Sequence, residues 1–269
     1  MATATFPEPA PGSRLPRLAE LVRITAFRSL KIRYRGTALG ILWSFANPVL
    51  LTAVYTAIFG TAFRQYYGGS VVRYVLSAFV GLVVVTFFLN ATGESLTTIV
   101  ANGLLLNKIP VPPVIFPVAS VVSNVFQQLV TTFWIVFAVS IVFTRDPVRV
   151  ALVPVVLLAV ILLVAGFSLA LSALYVFFRD LPHLWGIVGF ILWMTSPLFY
   201  PIEIVPANVR PYYDLNPIGV SISALREVTL RRGPLHLHEI ALALAAGLVA
   251  LALGAAFFQA TRREFMDLL

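Results

Sequence analysis

Cysteine is missing from the 269 residues altogether, which removes disulfides, thiolate metal centres and cysteine nucleophiles together. Histidine occurs only at His183, His236 and His238. Zinc sites need converging ligands, typically four residues apart on a helix. His236 and His238 are two apart with only Glu239 beside them, so no metal site is expected. Lysine occurs only at Lys31 and Lys108, and neither follows a glycine. A Walker loop needs Gly-Lys followed by Ser or Thr so that backbone amides and the lysine surround the phosphates. P-loop ATP hydrolysis is therefore excluded for this chain. No serine sits in a Gly-x-Ser-x-Gly setting, and no nucleophile, base and orienting group stand out.

Charge is also scarce. Charged residues make up 11% of the chain and hydrophobic ones 59%, where a soluble domain carries about 25% charge. Lys and Arg number 19 against 11 Asp and Glu, a net +8. The basic residues lie between long apolar runs, so anionic headgroups rather than nucleic acid are the nearer partner.

What is abundant is uninterrupted apolar sequence. Runs free of Asp, Glu, Lys and Arg cover Gly36–Phe63, Tyr74–Gly93, Ile109–Thr144, Val150–Phe178, Leu181–Ile202 and Ile240–Thr261. About 20 such residues cross about 30 Å of hydrocarbon at about 1.5 Å each. The sequence thus predicts an all-α polytopic membrane protein with six transmembrane helices, near 37–63, 74–93, 116–143, 150–178, 183–201 and 240–260. The third begins late because Pro110, Pro112, Pro113 and Pro117 disfavour a helix before Phe116. None of the runs has an ionisable residue at its centre, which argues against an ion-coupled carrier, as does the lack of an internal repeat. Glu94 reads as an interfacial residue at a span end, with a part in a gate or relay as the alternative.

The N-terminus lacks the basic, apolar and small-residue order of a cleavable signal. Residues 1–15, rich in Pro and Ala, read as a mobile tail, and residues 16–35 as an amphipathic helix in the cytoplasmic interface. On a helical projection Arg17, Arg28, Lys31 and Arg35 fall on one side and Leu18, Leu21, Val22 and Ile32 broadly on another. A basic tail without defined docking is the alternative. The basic cluster before the first span places the N-terminus in the cytoplasm. Six crossings return residues 262–269 there as a C-terminal tail. Arg64, Arg73, Arg145, Arg149, Arg210, Arg226, Arg231 and Arg232 then face outward. Between the last two spans, prolines from Pro201 to Pro234 exclude one long helix, but Ile218–Thr229 has helical spacing for a short external or re-entrant helix.

Three segments carry a resemblance. Arg33-Tyr34-Arg35-Gly36-Thr37-Ala38-Leu39-Gly40-Ile41-Leu42-Trp43 with Asn47-Pro48 opens the first span. Asn102-Gly103-Leu104-Leu105-Leu106-Asn107-Lys108-Ile109-Pro110-Val111-Pro112 with Pro117 follows the second. Phe178-Arg179-Asp180-Leu181, Ser196-Pro197-Leu198-Phe199-Tyr200-Pro201 and Leu215-Asn216-Pro217 with Arg226 come late. In this order, from about Leu21 onward, the chain resembles permeases of the type-2 ABC exporter family that move O-antigen, teichoic acid and galactan-like glycans. Where many relatives have an Arg-Glu pair, this chain has Pro113-Val114.

The resemblance implies a subunit of the bacterial or archaeal inner membrane, not itself an enzyme, that moves lipid-linked polysaccharide outward. It implies a second copy of the chain and two ATPase subunits, which bind the ATP and Mg. No cofactor is expected in this chain. Asn102, Asn107, Lys108, Pro110 and Pro112 would contribute to ATPase coupling. Flat rings suit sugar faces, and Trp43, Tyr55, Phe59, Trp185, Trp193, Phe199 and Tyr200 are candidates for the substrate path, with core packing or interfacial anchoring as the alternative for each. Arg28, Lys31, Arg33 and Arg35 are candidates for attracting a lipid phosphate, or equally membrane headgroups. Competing readings are a permease for a small amphipathic or lipid substrate, an ion-coupled carrier, and a glycan-modifying membrane enzyme using Glu203, Asp214 or Glu239.

Overall fold

A computed structural model of the chain describes residues 14–38, 40–108, 111–210 and 215–268. Of the expected mobile tail, residues 1–13 lie outside the described residues, and a helix already begins at Arg14. The same holds for Pro110 and Asp214.

The described residues form helices in the order α1 (Arg14–Arg33), α2 (Trp43–Phe63), α3 (Val71–Ala101), the single turn α4 (Gly103–Leu106), α5 (Ile115–Thr144), α6 (Pro147–Phe177), α7 (Leu181–Thr195), α8 (Pro217–Thr229), α9 (Leu237–Thr261) and the turn α10 (Phe265–Leu268). The starts are encoded locally. Asp146 accepts from the Val148 N–H at 2.9 Å with Pro147 next to it, and Asn216 accepts from the Ile218 N–H at 3.0 Å with Pro217 next to it. Each side chain satisfies an orphan amide while proline occupies a position that needs no donor. Inside α5, Leu129–Phe133 form a π-helical turn.

Five helices among the described residues are long and apolar enough to cross a membrane: α2 with its flanking turns, α3, α5, α6 and α9. The run expected to span 183–201 differs. It is helical only over the 15 residues of α7, about 22 Å at 1.5 Å per residue. Ser196 turns extended ahead of Pro197, as a residue preceding proline prefers, and Ser196–Phe199 are buried in the bundle. The helix that contains the second expected span, 74–93, is longer than that run: α3 continues to Ala101, with Glu94 paired to Arg33 on the way.

The main core surrounds α3, where Leu82, Val83, Phe87 and Phe88 meet Leu163 of α6 and Ile218 and Ile222 of α8. α6 and α9 make the closest helix contact: a Cβ on Gly166 or Gly254 would collide with the other helix's backbone. Small residues of this kind let membrane helices approach and gain dispersion contact where lipid offers no hydrophobic drive. A second cluster closes one end of the bundle. There Leu106 of α4 and Phe265 of α10 join Ile99, Phe116, Val176 and Phe258, so the C-terminal segment is tucked against the bundle.

α1 lies along α5, with Ala26 and Leu30 buried and the Phe27 and Phe126 rings 5.6 Å apart. The buried face is therefore Ala26 and Leu30. Ile32, expected on the apolar side, is exposed, because the face turned to α5 is the one that carries Ala26 and Leu30, four residues apart.

Candidate functional site

The end of α1 carries Arg33 to a polar cluster inside the bundle. Its guanidinium pairs with Glu94 of α3 and donates to Gln127 at 2.5 Å and Asn124 at 3.3 Å, both of α5. The Asn124 amide donates in turn to Glu94 at 2.7 Å. Beside this cluster is a cavity of about 270 Å³, walled by Trp43, Asn47, Asn90, Glu94, Gln127 and Gln128. Its mouth is fixed where the Tyr34 and Ser44 hydroxyls lie 2.7 Å apart. Polar groups between apolar helices are costly unless paired or facing water. Here they surround a space able to take polar atoms.

Of the four cations expected to attract a phosphate, then, Arg33 is bound to Glu94, while Arg28, Lys31 and Arg35 stand exposed. Glu94 lies seven residues before the end of α3, directly after the expected span 74–93, and is paired there with Arg33. The sequence did contain a signal for the cluster: Asn124, Gln127 and Gln128 interrupt an apolar run at helical spacing.

The aromatic candidates divide. Tyr55 of α2 stacks on Phe199, ring centroids 3.4 Å apart and planes within 9°. Phe59 follows at 6.1 Å from Tyr55, and Trp193 lies 6.2 Å from Phe199. The Tyr74 hydroxyl holds this arrangement by donating to the Phe199 carbonyl at 3.0 Å. Four of the seven are thus assembled into one series joining α2 to the segment after α7. Trp185 is elsewhere, packed between Phe88 and Phe167, and Trp43 borders the polar cavity. Tyr200 is tied to α7 through a hydrogen bond from its hydroxyl to the Met194 carbonyl at 3.1 Å.

The segment after α3 forms a firm base with an exposed tip. Asn102 donates to the Thr98 carbonyl at 2.7 Å, and Leu106 is buried. Leu104 is 81% exposed, and Asn107, Lys108 and Pro112 are exposed around it. An apolar side chain held out at a bundle end on a short helix is suited to contact with another protein.

At the opposite end a network appears that the residue pattern alone did not reveal. Arg149 is buried at the start of α6 and pairs with Glu227 of α8 at 3.0 Å. It also donates to the carbonyls of Glu227 at 2.5 Å and Gly233 at 2.8 Å. Glu227 takes Arg231 at 3.0 Å and the His236 N–H at 3.1 Å. Burial alone would raise the Glu227 pKa, but the His236 amide and the Arg231 and Arg149 guanidiniums outweigh it and hold the carboxyl below its ordinary value. Arg149 had read as one of several outward-facing cations. Among the described residues no three His, Asp or Glu side chains converge as a metal site needs.

The profile of the ABC-2 type transporter family matches residues 20–230. The chain is 25% identical over 254 residues to an O-antigen export system permease protein RfbA of Klebsiella pneumoniae, covering 94% of this chain and 96% of that protein. It is 30% identical over 244 residues to the O-antigen export system permease protein RfbA of Myxococcus xanthus, covering 89% and 92%. It is 23% identical over 194 residues to the capsule polysaccharide export inner-membrane protein CtrC of Neisseria meningitidis, covering 71% and 72%.

Proposed function

Because the chain belongs to the ABC-2 type transporter family, we propose that it is the membrane subunit of an ATP-driven exporter carrying lipid-linked polysaccharide from the cytoplasmic to the outer side of the inner membrane. The observation that carries this reading is similarity over nearly the whole length of two O-antigen export permeases. The aromatic series from Phe59 through Tyr55 to Phe199 and Trp193 supports a sugar path along α2, since ring faces suit sugar rings.

In this reading both termini are cytoplasmic, and α1 lies in the cytoplasmic interface with Arg28, Lys31 and Arg35 attracting the lipid phosphate. α7 and the segment through Pro201 together make the fifth of six crossings. Two copies of the chain enclose the path. Two ATPase subunits, which bind ATP and Mg, dock on the turn that exposes Leu104, Asn107, Lys108 and Pro112. Arg33 and Glu94 border the polar cavity at the inner end of the path.

The test is deletion of the chain in its host, with lipid-linked glycan located by leaflet, alongside mass spectrometry of what co-isolates with the purified chain in mild detergent. Glycan stranded in the cytoplasmic leaflet and a P-loop ATPase at equal stoichiometry are expected. Normal surface glycan would shift the cargo to a small amphipathic compound, and isolation without any ATPase would reject the exporter.

A further inference from the structure

At the bundle end opposite the α4 turn is a second, larger cavity of about 720 Å³. It is enclosed by the turn before α3, the start of α3, the return after α7, the end of α8 and the start of α9. Small-ligand sites occupy about 300–1,000 Å³, so the space suits a headgroup rather than a lone ion. Its lining carries four arginines, Arg73, Arg226, Arg231 and Arg232, against Glu203 and Glu239.

The four are not equivalent. Arg231 is neutralised by Glu227 at 3.0 Å and Glu239 at 3.2 Å. Arg226 donates only to main-chain oxygens, of Ser77 at 3.0 Å and Leu198 at 3.2 Å. Arg232 donates to the Phe143 carbonyl at 2.7 Å, and Arg73 lies beside Gly68. Among the described residues none of these three pairs with a carboxylate. Carbonyls orient a guanidinium without cancelling its charge. Arg226 and Arg232 are held in this way, Arg73 stands exposed beside them, and the three cations border one partly enclosed space that suits an anion.

We propose that this cavity binds a phosphate-ester headgroup, with Arg73, Arg226 and Arg232 as its anion-binding groups and Tyr66 and Tyr67 against the sugar or glycerol attached to it. A single carboxylate has oxygens for one fork, whereas a diphosphate has enough for three. Service as the outer landing place for the diphosphate of an exported glycolipid rests on the exporter reading. The binding itself does not.

The measurement is calorimetric titration of the purified full-length chain in detergent with inorganic pyrophosphate in magnesium-free buffer. Saturable binding that weakens with salt is expected. Arg73→Gln and Arg232→Gln should each weaken it about tenfold, and Glu203→Gln should tighten it. Arg64→Gln, a cation at the same end outside the cavity, should leave it unchanged. Absence of saturable binding, or wild-type affinity in both Arg73→Gln and Arg232→Gln, overturns the site. If either arginine variant fails to fold, the other and Glu203→Gln decide, since a mere folding defect would not tighten binding. Farnesyl diphosphate is then titrated into the chain in nanodiscs of phosphatidylglycerol or phosphatidylcholine. Binding in both lipids supports the diphosphate cargo as ligand. Binding abolished only in phosphatidylglycerol assigns the site to a bilayer phospholipid and removes the landing role. Normal glycan location after deletion would remove the exporter reading and leave these titrations standing.

Discussion

Among the described residues two Arg–Glu pairs bridge distant parts of the chain, and they sit in opposite kinds of surroundings. Arg149 and Glu227 are 2% and 0% exposed and meet only each other, Asp146, Arg231, His236 and main-chain carbonyls. Arg33 and Glu94 are 24% and 36% exposed, and Glu94 borders a cavity together with side-chain amides. The first pair joins the start of α6 to α8 and the loop before α9, with every strong polar group answered. It is a fastening. The second has neighbours that can rotate and space to admit polar atoms, so its partners can be exchanged. The same two residue types thus hold one end of the bundle together and leave a more open, exchangeable site toward the other.

The sharpest way to break this contrast is Glu227→Ala. It leaves Arg149 buried without its carboxylate, at a cost of about 3–5 kcal/mol, and should show as lost expression or a collapsed thermal transition in detergent. A stable Glu227→Ala protein would mean that the carbonyls suffice. Acid titration asks the same question more gently. The Glu227 pKa is depressed below its ordinary 4.5 in the folded chain. The stability it contributes is therefore fully present above about pH 4.5 and is lost as pH falls through its lower folded value. Glu227→Gln should flatten that part of the melting profile, and an unchanged slope would assign the acid sensitivity elsewhere.

Arg33→Gln addresses the other side of the comparison. The fold should survive, because the site is polar and open, but substrate-stimulated ATPase activity of the assembled complex should fall roughly tenfold if charged hydrogen bonds of about 1.5–3 kcal/mol organise the site. A melting loss as large as that of Glu227→Ala would make both pairs fastenings. The smallest effect is expected from Lys31→Gln. One exposed cation near an anionic surface is worth about 1 kcal/mol, a roughly fivefold change at low salt that shrinks at physiological ionic strength. Salt-independent stimulation in that variant would remove surface attraction from its role.

The long apolar runs made most of the helices legible, and the Pro, Asn and Asp at positions such as Asn216-Pro217 and Asp146-Pro147 marked where several begin. What was missed shares one cause. Hydropathy counts each charge by itself and shows no partner, yet Glu94 within α3 is met by Arg33, 61 positions away. Arg149 passed as a loop cation for the same reason, its partner being 78 positions distant. The aromatic set was half readable. Residue type suggested all seven rings, but only the return of the chain at Ser196-Pro197 determined that Phe199 and Trp193 join Tyr55 while Trp185 faces Phe88.

The glycine contact between α6 and α9 has a mechanical consequence. Packed helices slide when side chains move from one groove into the next, and each step needs compliant atoms between the two axes. At Gly166, Gly247 and Gly254 main chain meets main chain with no such cushion. The two helices therefore behave as a single welded beam. Bending and swinging fall instead to α2, where only Pro48, Thr52 and Gly60 are buried, and α7, where only Leu181 and Gly189 are. Since Phe199 clasps Tyr55 and its carbonyl is held by Tyr74, those two lighter members are joined into one leaf that rests on α3 rather than on the beam.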